Sequence, residues 1–99
     1  MTDLVVVYWR DIPAQVKAGS GRKSVRRELS PRFAEAIDRA AMRSGARDTD
    51  SYLAEWRTGK PQPVEGDVAA AVAEMCARLE NSWDDGRLNA AVENGGRNG

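Results

Sequence analysis

Leu4-Val5-Val6-Val7-Tyr8-Trp9, inside TDLVVVYWRDIPAQVKAG at residues 2–19, decides the fold. Six apolar residues in a row, rich in β-branched and aromatic side chains, read as a central strand covered on both sides or nearly so. Asp11-Ile12-Pro13 is a turn candidate, because proline fixes φ and brings no donor. Ala14 to Lys17 starts a second strand. Gly19-Ser20-Gly21 breaks the pattern, as a hairpin tip or as a wide bulge. Ser24 to Leu29 resumes an extended reading, with Val25 and Arg27 on one side and Arg26 and Glu28 on the other.

Helices follow. Ser30-Pro31 is a start signal, since serine can cap free N–H groups and proline suits the first helical position. Phe33, Ala36, Ile37, Ala40, Ala41 and Ser44 recur at helical spacing, and Gly45 suits the C′ position. Glu35 and Arg39 are spaced as an i,i+4 pair. In Asp48–Arg57, Tyr52, Ala54 and Trp56 alternate with Leu53, Glu55 and Arg57, which favours a strand; Thr49 could instead cap one or two helical turns. The strand is the expectation. Residues 59–66, with Pro61 and Pro63, read as a rigid connector. Asp67 caps a helix running to Trp83, with Val68, Ala71, Val72, Met75, Leu79 and Trp83 on one face and Glu74–Arg78 paired outside. Asp84-Asp85-Gly86 closes it, and Leu88, Ala91 and Val92 allow one more turn.

The expected fold class is therefore α+β: a small two-layer sandwich in β-β-α-β-α order, with a three-stranded antiparallel sheet (order 2-1-3) and two helices on one face. The other sheet face is exposed or meets a partner. Residues 1–92 read as one domain and 93–99 as a flexible tail. At 99 residues the chain buries only about 65% of its extended surface, enough for one core.

The net charge is zero, but residues 1–49 carry ten Lys/Arg against six Asp/Glu, and residues 50–99 carry five against nine. Lys17, Arg22, Lys23, Arg26, Arg27 and Arg32 fall within sixteen residues that hold one acid, Glu28. Such a run suits an acidic protein surface, or a solvated edge that resists strand pairing. Nucleic-acid binding through residues 22–32 is a further reading, weakened by the lack of an aromatic residue between Gly19 and Arg32. Cys76 stands alone near an apolar helix face, as a core thiol. No leader or membrane span is apparent, so the cytoplasm is the expected compartment.

The chain has no histidine, which removes the usual base near neutral pH and the commonest metal ligand. No cofactor or metal is expected. Arg10 and Asp11 end the apolar strand, where an arginine can clamp an anion and an aspartate can move a proton; a structural ion pair is the plainer reading. Trp56-Arg57 repeats Trp9-Arg10. If their strands are neighbours, the two dipeptides form an aromatic and cationic cluster suited to a planar or anionic ligand or to a protein hot spot.

YWRDIPAQV (8–16), RFAEAIDRAAMRSG (32–45) and YLAEWRTG (52–59) resemble a small bacterial family described as virulence factor, over roughly residues 3–92. The resemblance carries no catalytic signature. It implies an accessory subunit of a one-carbon or methyl-transfer system, with a folate- or corrinoid-dependent enzyme as protein partner, or else a homo-oligomer. The expected function is a non-catalytic accessory or protein-binding subunit. The alternative is a small enzyme or enzyme subunit whose interface site uses Arg10, Asp11, Glu55 and Arg57. Chemistry and position make Tyr8, Trp9, Arg10, Asp11, Arg22, Lys23, Arg26, Arg27, Tyr52, Glu55, Trp56 and Arg57 the candidate ligand- or partner-binding residues.

Overall fold

The computed structural model describes residues 2–19, 24–45 and 48–97. Its strands are β1 (Thr2–Trp9), β2 (Ile12–Ala18), β3 (Val25–Glu28), β4 (Trp56–Thr58) and β5 (Gln62–Val64); its helices are α1 (Pro31–Ser44), α2 (Thr49–Ala54), α3 (Val68–Ser82) and α4 (Asp85–Glu93). Among the described residues five strands form one sheet in the order β3-β2-β1-β4, with β5 also on β1. Every pair is antiparallel.

This overturns the three-stranded, two-helix expectation at identifiable places. The basic stretch is a strand of its own: Gln15 to Ala18 pair with Glu28 to Val25, so β2 and β3 form a hairpin. Asp48–Arg57 divides instead of running as one strand. Asp48, not Thr49, caps α2 by accepting from Ser51 N (3.2 Å). The chain then extends at Trp56, opposite Trp9. The proline-bearing connector contributes β5, where Pro63 lies opposite Asp3 on the outer edge that proline tolerates. Asp84 does not end α3 but caps α4, accepting from Arg87 N at 2.8 Å.

β1 holds the inner position. Leu4 and Val6 point to one side and Val7 and Trp9 to the other by strand alternation, and all four are buried. The first turn is tighter than expected. Trp9 lies opposite Ile12, so Arg10-Asp11 is the two-residue hairpin loop and Pro13 lies within β2. The register shifts between Val7 and Tyr8, where Ala14 on β2 is the extra residue. α3 packs on β1, β2 and β3, while α1 packs on β2 and α4. Trp9, Ile12, Val16, Phe33, Ala40 and Val72 are almost fully enclosed at the heart of the core. Burying Trp9 alone is worth about 4–6 kcal/mol by area.

The C-terminal stretch, expected as a tail, folds back as far as it is described. Gly95 N donates to Val92 O (3.0 Å) and Gly96 N to Ala91 O (2.7 Å). That closes α4 with a Schellman motif, and Gly95 at φ +69° takes the left-handed position. Among the described residues no helix is long and apolar enough to cross a membrane.

Candidate functional site

The hairpin loop between β1 and β2 builds the site. Arg10 is the non-glycine residue with positive φ (+54°) among those described. A two-residue hairpin loop asks for such a conformation, and a side chain there costs about 1–2 kcal/mol. The surroundings hold it in place. Arg10 N donates to Glu55 O (3.0 Å), Asp11 N to Gly96 O (2.9 Å), and Arg10 Nη1 to Gly95 O (2.6 Å). Arg10 O accepts from Arg57 Nε at 2.8 Å.

Two ion pairs cross the loop. Arg10 Nη2 lies 3.4 Å from Glu55 Oε1, and Arg97 approaches the other oxygen of that carboxylate at 3.8 Å. Arg57 Nη2 lies 3.2 Å from Asp11 Oδ1. The Arg10 side chain is only 16% exposed, and its Nε is buried without a hydrogen-bond partner among the described residues.

The two Trp-Arg dipeptides do meet. Trp9 stands opposite Trp56, and Tyr8 opposite Arg57. The Arg57 guanidinium carbon lies 4.6 Å from the Tyr8 ring centre, and that of Arg10 lies 5.0 Å from Trp9. Trp9 Nε1 donates to Tyr52 O at 2.9 Å. Tyr52 lies between the two tryptophans, with ring centres 5.8 Å and 5.9 Å away.

Beside Arg57 opens a cleft of about 460 Å³, lined by Tyr8, Asp11, Arg57, Gly59, Lys60, Trp83 and Arg87. Arg57 comes from β4, Lys60 from the β4–β5 connector and Arg87 from α4. Arg87 lies over the Trp83 ring at 4.0 Å and donates to Ser82 O at 2.9 Å. Gly59 permits close packing, since a Cβ there would sit 3.0 Å from Tyr8 Cε2. Three cations face one carboxylate, so the cleft carries a surplus of positive charge.

The remaining expected residues lie apart. Arg26 and Arg27 sit exposed on the edge strand β3, on opposite faces by alternation. Arg22 and Lys23 lie outside the described residues. Arg32 leaves the basic run altogether: it bonds Glu80 through Oε1 (3.0 Å) and the main-chain oxygen (2.8 Å), and also reaches Trp83 O. Ser30 bonds Glu80 twice, N to Oε2 at 2.7 Å and Oγ to Oε1 at 2.8 Å. Its hydroxyl therefore does not cap α1. Burial pushes the Glu80 carboxyl up, but the Ser30 bonds and Arg32 outweigh this and leave it below the usual range. Burial pushes the Cys76 thiol up, away from the reactive thiolate. No group of three or more metal-ligating side chains occurs among the described residues.

Lys60, Arg87 and Arg97 escaped the sequence reading, and Trp83 entered it only as an apolar helix position. One signal was available: all three tryptophans lie within four residues of an arginine, and Trp83 with Arg87 has helical i,i+4 spacing.

The family described as Virulence factor matches residues 7–92. The chain belongs to that family. The matched span contains both Trp-Arg dipeptides and the cleft, while Gly95, Gly96 and Arg97 lie beyond it. No curated protein and no solved structure matches the chain.

Proposed function

We propose that this family member is a binding domain that captures an oxyanion, a carboxylate or phosphate, in the cleft between Tyr8 and Trp83. The carrying observation is the convergence of Arg57, Lys60 and Arg87 from three separate elements around a single acid, Asp11. Arg57 is already oriented by Arg10 O and Asp11, and Arg87 by Ser82 O. The two guanidinium groups therefore lose little freedom on binding. Lys60 supplies a mobile point charge at the rim.

Arg10, Asp11, Glu55 and Arg57 thus form the bracing wall of an interface site. The oxyanion belongs either to a free small molecule or to an acidic side chain of a protein partner. A folate- or corrinoid-dependent enzyme is the partner implied by the resemblance, and neither the cluster nor the family match points to one-carbon chemistry.

The test is a ¹H–¹⁵N titration with inorganic phosphate, then pyrophosphate, then a Glu-rich peptide. Saturable shifts at Gly59 and Lys60 are expected, weakened by NaCl and weakened about threefold to tenfold in each of Lys60→Ala and Arg87→Ala. Pyrophosphate binding tighter than the peptide assigns a small-molecule oxyanion; the reverse order assigns a protein partner. Shifts that never saturate, or that both variants leave unchanged, would overturn the proposal.

A further inference from the structure

A second concavity, of about 400 Å³, opens where the β2 bulge meets α1 and α2. Its chemistry is opposite to that of the oxyanion cleft. Leu29 and Ile37 are buried hydrophobic residues in its lining. Ala14 and Ala34 also line it, and their short side chains leave the volume open. The bulge matters here: Ala14 has no partner on β1, and its carbonyl instead accepts from Leu29 N at 3.1 Å, drawing the end of β3 alongside.

Tyr52 and Trp56 form the aromatic wall, nearly perpendicular at 80°, so that a ring face and a ring edge are both presented. Glu28 and Asp38 are exposed members of the lining, which contains no lysine or arginine. Among the described residues neither carboxylate is in an ion pair. Burial, with the Asp38 charge, pushes the Tyr52 hydroxyl up, so it stays a neutral donor.

We infer that this groove is a second binding site, for a small organic cation with an apolar body. The volume lies within the range of small-molecule sites, and an apolar floor with a few polar groups is their usual make-up. Two carboxylates and two aromatic rings select a positive charge, through ion pairing and cation–π attraction. The inference is independent of the oxyanion cleft, which has a different lining except for the shared fold.

Phenethylammonium chloride is the probe, compared with the neutral 2-phenylethanol and the anionic phenylacetate, each followed by ¹H–¹⁵N spectra of the full chain. Saturable shifts are expected at Leu29, Ala34 and the Trp56 indole, with Gly59 and Lys60 unmoved. The cation should bind tightest and the anion weakest. Asp38→Asn and Glu28→Gln, at exposed positions that the fold does not need, should each weaken the cation about twofold to fivefold and leave the alcohol unchanged. Ala34→Leu, which fills the groove from an exposed helix position, should remove binding of all three. Equal affinity for the three probes, no saturation, or carboxyl variants that bind the cation like the parent chain would each overturn the inference.

Discussion

Arg10 shows how one residue is made to hold an unfavourable conformation. The strain of its φ of +54° is offset by hydrogen bonds to Glu55 O and Gly95 O and by the ion pair to Glu55. Trp9 is held as closely. At Gly96, φ is +98° and a Cβ would stand 2.8 Å from Trp9 Cζ3. Gly96→Ala therefore combines backbone strain with overpacking and should lower stability by about 2–4 kcal/mol. Gly45→Ala is the matched control: φ is +81° but nothing lies within 4 Å, so strain alone should cost about 1 kcal/mol. Urea unfolding of the two variants separates the contributions, and equal losses would mean that Trp9 moves aside freely. The Trp-Arg repetition in the sequence anticipated that the two dipeptides stand side by side, as the pairing of Trp9 with Trp56 shows. It could not reveal that Gly95 and Gly96 supply the acceptors, because glycine carries no side-chain signal of a distant contact.

At the scale of elements, α1 and α3 are tied by Glu80. Its carboxylate accepts from Ser30 N and Oγ and from Arg32, and its folded pKa lies below the ordinary value. A depressed carboxyl contributes stability that is present above its unfolded pKa, near 4.3, and is lost as pH falls through the folded value. Glu80→Gln should cost about 1–2 kcal/mol at pH 7. The gap between variant and parent should close on acidification below about pH 4, as followed by thermal melts. A gap independent of pH would show that the charge plays no part. Local capping was readable at Asp67, which accepts from Ala69 N and Ala70 N, and in the Glu74–Arg78 pair at 2.8 Å. It misled at Ser30, whose hydroxyl bonds a helix fifty residues away, and at Arg39, which bonds Asn89 (3.3 Å) rather than Glu35. In Asp48–Arg57 a strong cap and an alternating pattern overlap, and both are used in turn.

For the whole molecule, closure of the C-terminal turn over the β1–β2 loop joins the first and last described parts of the chain. Deleting residues 95–99 removes the acceptors of Asp11 N and Arg10 Nη1 together with the glycine against Trp9. A loss of about 2–4 kcal/mol is expected, with a red-shifted tryptophan emission as Trp9 meets water; an unchanged urea midpoint would show that the turn only rests on the core. The sequence by itself determined the α+β class, the inner place of the Leu4–Trp9 strand, the α1 and α3 faces and the residues of the aromatic–arginine cluster. Those follow from apolar periodicity and from strong local caps, which act over a few residues. Tertiary structure alone decided that the extended Ser24–Leu29 stretch is a separate strand beside β2 and that residues 62–64 add another on β1, that α4 ends in a Schellman turn over Arg10, and that Lys60 and Arg87 share a cleft with Arg57. Three-residue strands such as β4 and β5 have too little pattern to be read and exist because β1 offers them hydrogen-bonding partners. Charges distant in sequence converge only after the sheet and helices have packed, so the cleft's surplus of positive charge is a property of the fold, invisible in a chain whose net charge is zero.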